Sequence, residues 1–153
     1  MKLAKSAQKH PFEYALKLLS YRPRSEHEIS FRLKIKQVPA EKIVQVIKKL
    51  KELKFVNDDK FVAWWQQQRD EFRPRSARIL KLELIKKGIA QDTIKSNLDI
   101  SHEKELERAN KAFQKKFKSI KKIMPYSMRQ KVIRFMSARG FSWAIIKEIL
   151  KVD

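Results

Sequence analysis

A register of residues recurs along this chain and limits its fold more than any single motif does. Tyr21-Arg22-Pro23-Arg24-Ser25 returns as Phe72-Arg73-Pro74-Arg75-Ser76, an offset of 51 residues (72 less 21). The same offset carries Ile29 to Leu80, Leu33 to Leu84, Lys36 to Lys87, Val38 to Ile89, Ile43 to Ile94 and Ile47 to Leu98. A fainter third copy lies 52 residues beyond the second (140 less 88). It carries Phe61 to Phe113, Trp65 to Phe117, Leu80 to Val132, Leu84 to Met136, Gly88 to Gly140 and Ile94 to Ile146. The Arg-Pro-Arg-Ser element is missing from that copy. A repeat of this length implies supersecondary units that bury their apolar faces by stacking on one another.

Each copy reads as three short helices. They are expected over 12–20, 25–36 and 39–54, then 59–72, 76–87 and 90–98, then 102–122, 127–139 and 142–151. Local signals agree. Ser25 with Glu28 forms a capping box. Pro39 suits a first helical turn, where a missing N–H costs nothing. Asn57-Asp58-Asp59 supplies acceptors and negative charge at a helix start. Gly88 and Gly140 each follow a basic helix end, where a left-handed residue is wanted. Ile43, Ile47 and Leu50 fall on one helical face. Only two glycines occur in the whole chain, too few for a fold built on hairpin turns. The expected fold is therefore all-α: three tandem three-helix repeats (12–56, 57–101 and 102–153) after an N-terminal tail (1–11), stacked into an elongated, curved body.

Enzyme chemistry finds no foothold. His10, His27 and His102 lie far apart without metal-ligand spacing. No glycine-rich loop precedes a helix to cradle a nucleotide, and no nucleophile elbow occurs. Asp58-Asp59 reads as a helix cap, and Glu26 and Glu28 as first-turn acids. The expectation is no catalytic residue, no metal and no cofactor. With no cysteine, no leader-like start and no apolar run of about 20 residues, a cytoplasmic protein without a membrane partner is expected.

The net charge of +20 makes a polyanionic partner the natural expectation. The charge is concentrated. From Arg108 to Lys147 there is no acidic residue, while Lys111, Lys115, Lys116, Lys118, Lys121, Lys122, Arg129, Lys131, Arg134 and Arg139 fall within that stretch. Exposed helices usually mix signs, so this run is read as a surface facing a polyanion, with Arg108 counted in it. The two Arg-Pro-Arg-Ser turns add Arg22, Arg24, Arg73 and Arg75, whose guanidinium forks suit phosphate or carboxylate. Arg78, Lys86 and Lys87 complete the candidate set. Tyr14, Tyr21, Phe61, Trp64, Trp65 and Phe72 could stack on bases, but their helical spacing reads better as core, although adjacent Trp64 and Trp65 cannot both point fully inward.

These motifs resemble the bacterial RecX family. Arg22-Pro23-Arg24-Ser25-Glu26-His27-Glu28-Ile29 with Leu33 is similar to its first-repeat signature, and Asp58-Asp59-Lys60-Phe61-Val62-Ala63 to its Asp-Asp-x-x-Phe-Ala element. Arg78-Ile79, Glu83-Leu84 and Lys87-Gly88-Ile89 follow in the family's order, and Arg139-Gly140-Phe141 resembles its last-repeat Arg-Gly-Phe. The likeness runs from about Tyr14 through nearly the whole chain. Gln37 stands where the family's first repeat often has glycine, and the segment before Arg78 lacks a glycine common there. The resemblance implies a non-enzymatic regulator that binds the RecA recombinase as a filament on single-stranded DNA. Such a protein lies in the filament groove and inhibits its ATPase, strand-exchange and coprotease activities. The resemblance also implies weakly selective binding to single- and double-stranded DNA; action as a monomer is expected. Two alternatives remain at this point: a basic nucleic-acid-binding protein without a filament partner, and a helical-repeat adaptor for an acidic protein.

Overall fold

A computed structural model of the chain describes residues 7–118 and 124–151. Its helices are α1 (Pro11–Tyr21), α2 (Glu26–Ile35), α3 (Ala40–Glu52), α4 (Asp58–Phe72), α5 (Ala77–Lys86), α6 (Gln91–Asn97), α7 (His102–Phe117), α8 (Tyr126–Ala138) and α9 (Trp143–Leu150). No strand occurs among the described residues. The expected spans agree with these to within a residue or two, apart from the end of α7. That helix was expected to reach 122; it ends at Phe117, and 119–122 lie outside the described residues.

The local signals act much as their chemistry requires. The Ser25 hydroxyl accepts the Glu28 N–H at 3.1 Å, and a Glu28 carboxylate oxygen accepts the Ser25 N–H at 3.3 Å, which completes the capping box. Asn57 Oδ1 accepts the Lys60 N–H at 2.9 Å. Pro39 is the N-cap of α3 rather than a residue of its first turn; its extended ψ of 142° places it just outside the helix.

One helix ending serves all three copies. The N–H groups of Gln37 and Val38 bond back to the carbonyls of Lys34 and Leu33 at 2.8 and 3.2 Å. Gly88 and Ile89 do the same to Ile85 and Leu84, and Gly140 and Phe141 to Ser137 and Met136. This is the Schellman motif, whose pivot must be left-handed. The pivots have φ of +59° at Gln37, +75° at Gly88 and +88° at Gly140. The apolar pair that accompanies the motif is buried each time: Val38 with Leu33, Ile89 with Leu84, Phe141 with Met136.

The chain forms two compact units. One is built from residues up to Trp64 with Leu84–Asn97, the other from Trp65–Glu83 with the residues from Leu98 on. In the first, α1, α2 and α3 pack pairwise around Ala15, Ile29, Leu33, Val46 and Leu50. The stripe read from the sequence closes this core: Leu50 is buried, and Ile43 and Ile47 pack against it. In the second, α7, α8 and α9 pack pairwise around Ala109, Ala112, Val132, Met136 and Ile146. Truncating any of the larger of these residues to alanine would cost about 2–5 kcal/mol. No helix among the described residues is long and apolar enough to cross a membrane.

Three side chains lie elsewhere than expected. Tyr21 and Phe72 are not core but 72% and 63% exposed. Each is the last residue of its helix, where the chain turns away into Arg-Pro. Arg108 is not a surface charge; it is 0% exposed. Its Nε donates to buried Asp70 at 2.9 Å and its Nη1 to the Asp99 carbonyl at 2.8 Å, so an ion pair and a backbone acceptor hold the charge inside.

Candidate polyanion-binding surface

Both Arg-Pro-Arg-Ser turns dock on the glycine-bearing helix end of the following copy. In the first unit the Ser25 hydroxyl donates to the Lys87 carbonyl at 2.7 Å. A Cβ placed on Gly88 would lie 2.3 Å from both Cβ and Cγ of His27. In the second unit the Ser76 N–H donates to the Arg139 carbonyl at 3.1 Å. A Cβ on Gly140 would lie 2.4 Å from Ile79 Cγ1 and from Ser76 Oγ. These two glycines are thus required twice, by a left-handed φ and by close backbone approach. Gln37, at the equivalent position of the first copy, is exposed, and the Lys36 carbonyl beside it accepts from Gln8 Nε2 at 3.2 Å in place of a serine hydroxyl.

The two joints share a backbone plan but differ in charge. At the first, Arg22 grips Glu28 with both arms of its fork, at 2.8 and 3.1 Å, and Lys87 Nζ reaches the same carboxylate at 2.9 Å. Burial alone would raise the Glu28 carboxyl, but hydrogen bonds from Arg22 and Lys87 outweigh it and hold the pKa down at about 2. Arg24 donates from Nε to the Leu18 carbonyl at 3.0 Å.

At the second joint, the repeat register puts Arg73 for Arg22, Arg139 for Lys87 and Ile79 for Glu28. The cations remain and the central acid is gone. The Arg73 side chain is exposed and makes no hydrogen bond or ion pair among the described residues. Arg139 donates from Nη1 to the Pro74 carbonyl at 2.9 Å and stacks 4.5 Å above the centre of the Phe135 ring. Burial, then the charges of Arg75 and Arg73, lowers the Arg139 pKa. Arg75 reaches Glu83 only at 3.6 Å, and its Nε is buried without a partner among the described residues. Glu83 is already engaged by Trp65 Nε1 at 2.9 Å and Arg69 Nε at 2.7 Å.

A cleft of about 230 Å³ opens at this joint, lined by Phe72, Arg73, Pro74 and Arg139 on one part and Ala112, Lys115, Lys116 and Phe135 on the other. No acid lines it. A second cleft of the same unit is also basic, but there Lys104, Lys111 and Lys115 stand beside Asp70 and Glu71.

The remaining candidates divide by their partners. Lys111 pairs with Glu107 at 2.7 Å, and Lys115 donates to the Glu71 carbonyl. Lys116 sits 5.6 Å over the Phe135 ring. Arg78, Lys86, Lys118, Arg129, Lys131 and Arg134 make no side-chain hydrogen bond or ion pair among the described residues; Arg129 is half-buried and the others are exposed. Lys131 and Arg134 share a face of α8 by their spacing of three. Lys121 and Lys122 lie outside the described residues. Sequence reasoning missed the cation contacts of Phe135 and the exchange of Glu28 for Ile79. The last was present in the repeat register, as a charged position turned apolar.

Comparison with known proteins gives a consistent result. The family model for the first three-helix domain of RecX matches residues 12–50, and that for the third matches 103–150. Together these spans cover more than half of the chain. The regulatory protein RecX of Bacillus pumilus is 34% identical over 146 residues, covering 95% of this chain and 56% of the relative. That of Bacillus subtilis is 34% identical over 139 residues, covering 90% and 53%. The chain thus spans about half the length of these relatives. In fold it is similar to the crystal structure of RecX from Lactobacillus salivarius, with a TM-score of 0.73, 22% identity and 96% of each chain covered. A second crystal structure of a regulatory protein RecX gives a TM-score of 0.75 at 26% identity, covering 94% of this chain and 72% of the other.

Proposed function

The chain belongs to the RecX family, and on that footing we propose that it binds the RecA recombinase filament on single-stranded DNA and restrains it. In this reading it lies in the filament groove and inhibits ATP hydrolysis, strand exchange and coprotease activity. It thereby modulates recombination, DNA repair and the SOS response in the cytoplasm. It works as a monomer of three helical repeats, 12–56, 57–101 and 102–153, and also binds single- and double-stranded DNA with little selectivity.

The observation that carries the reading is the set of cations in the second unit that are without acidic partners among the described residues: Arg73 and Arg139 at the second joint, Arg78 on α5, and Arg129, Lys131 and Arg134 on α8. A chain of net charge +20 that leaves these groups unpaired gains from a polyanion laid across them. A filament of protein on DNA offers phosphate and acidic protein surface together. The test is ATP hydrolysis by RecA on single-stranded DNA with the chain added at moderate salt. Inhibition is expected at or below stoichiometric amounts, and unchanged hydrolysis at stoichiometric chain would refute the reading.

A further inference from the structure

The contrast between the two joints singles out one of them as a ligand site. The same turn, the same helix end and a pair of cations at the same two register positions, Arg22 with Lys87 and Arg73 with Arg139, occur at both. In the first, the Glu28 carboxylate pairs with both Arg22 and Lys87 from within the chain and offsets one of their two charges. In the second, Ile79 takes its place and, among the described residues, no acid pairs with Arg73 or Arg139. An acid deleted from an otherwise preserved cation pair leaves room for an external anion.

The surroundings narrow the anion. The cleft of about 230 Å³ has no acidic lining and is smaller than the roughly 300–1,000 Å³ of a site for a whole small molecule. It therefore takes one group of a longer ligand. Phe135 is already covered by Arg139 and Lys116, but Phe72, at the mouth of the same cleft, is 63% exposed. An anion holder with a bare aromatic ring beside it matches a phosphate with its unstacked base, because every base has a face that stacks. A duplex keeps its bases stacked inside and cannot present one this way. A carboxylate of an acidic peptide would use the guanidinium forks and leave Phe72 without a role.

We propose that this cleft binds single-stranded nucleic acid, holding one phosphodiester on Arg73 and Arg139 with the adjoining base stacked on Phe72. The site rests on the nucleic-acid part of the function proposed above and not on the recombinase. Ligands on one strand of a filament and on bare single-stranded DNA are equivalent for it.

The experiment is fluorescence anisotropy with labelled oligothymidine, an abasic oligomer of the same length and a duplex of the same length, using the full chain. Phe72→Leu is expected to weaken oligothymidine binding about 5- to 100-fold, the range of one lost base stack, with the salt dependence unchanged. The abasic oligomer is expected to bind the unaltered chain as weakly as oligothymidine binds the variant. Arg73→Gln is expected to lower the log–log salt slope by about 0.7, one phosphate on a single strand. Ile79→Glu, which restores the acid of the first joint, should lose affinity at least as far as Arg73→Gln. Both altered residues of the primary variants are exposed, and an unchanged melting temperature confirms the fold. Oligothymidine binding unaffected by Phe72→Leu would overturn the site. So would oligoglutamate competing as well as oligothymidine, which would point to a protein segment. Failure to inhibit RecA with these effects intact refutes only the filament reading; inhibition intact with these effects absent refutes only the site.

Discussion

Replacing Gly88 with alanine puts a methyl group where the fold has no space for one. Its Cβ would sit 2.3 Å from His27 Cβ and Cγ, and ordinary carbon contacts begin near 3.5 Å, so the joint must open by roughly 1 Å. Three costs follow. A left-handed alanine costs about 1 kcal/mol, partly offset by about 0.4–1 kcal/mol from a stiffer unfolded chain. The overpacking costs about 1–3 kcal/mol. The Ser25 hydroxyl bond to the Lys87 carbonyl, now 2.7 Å, stretches and loses about 1 kcal/mol. The sum is about 2–4 kcal/mol, or roughly 5–15 °C in melting temperature for a chain of this size. Thermal and urea unfolding followed by circular dichroism measure it. A double-mutant cycle isolates the contact: with His27→Gly in place the clash is gone, and Gly88→Ala should then cost only about 0–1 kcal/mol, the backbone part alone. Equal costs in the two backgrounds would show that the glycine serves its left-handed angle only, and the close-approach argument would fail.

Gln37→Gly is expected to raise stability by about 0.5–1 kcal/mol, because Gln37 holds φ of +59° at an exposed pivot where glycine carries no steric penalty; an unchanged or lower urea midpoint would contradict this. Arg108→Ala should cost about 3–5 kcal/mol, since it strands the Asp70 carboxylate in the interior with only Lys104 at 3.4 Å; a loss under 1 kcal/mol would show the pair to be replaceable by water. Glu28 sets an acid limit. Its folded pKa of about 2 lies below its unfolded value, so its contribution is complete above about pH 5 and is lost as the pH falls toward 2. Allowing for solvent screening, that contribution is about 1–2 kcal/mol, and Glu28→Gln should flatten the stability profile over this window. Lys131→Gln with Arg134→Gln should leave the melting temperature within about 1–2 °C, because neither side chain has a partner among the described residues, while oligonucleotide affinity falls.

Most of the secondary structure is legible in the sequence, because caps and pivots are local. Ser25 with Glu28, Asn57, Gly88 and Gly140 each act through backbone groups a few residues away, and the apolar register identifies what lies beneath them. What the sequence does not give is which residues meet across tens of positions. Gly88 and Gly140 read correctly as helix ends, yet half of their constraint comes from His27, Ser76 and Ile79, more than sixty residues earlier. The charge map suffers from the same blindness. Arg22, Lys87 and Arg108 count as surface cations in the sequence, but Glu28 and Asp70 engage them across 6, 59 and 38 positions. Tyr21 and Phe72 fit a core period and are exposed, because period alone does not tell where a helix stops. The second joint stands out only when the two copies are compared position by position and the acid is found at one and not at the other.

The most direct measurement of the central reading is co-sedimentation of the chain with RecA filaments assembled on single-stranded DNA, beside the same DNA without RecA, at one salt concentration near 0.15 M. We expect retention by the filament at least tenfold tighter than by bare DNA, since the filament adds protein surface to phosphate. Equal retention by the two would contradict a filament partner and leave a nucleic-acid-binding protein in its place.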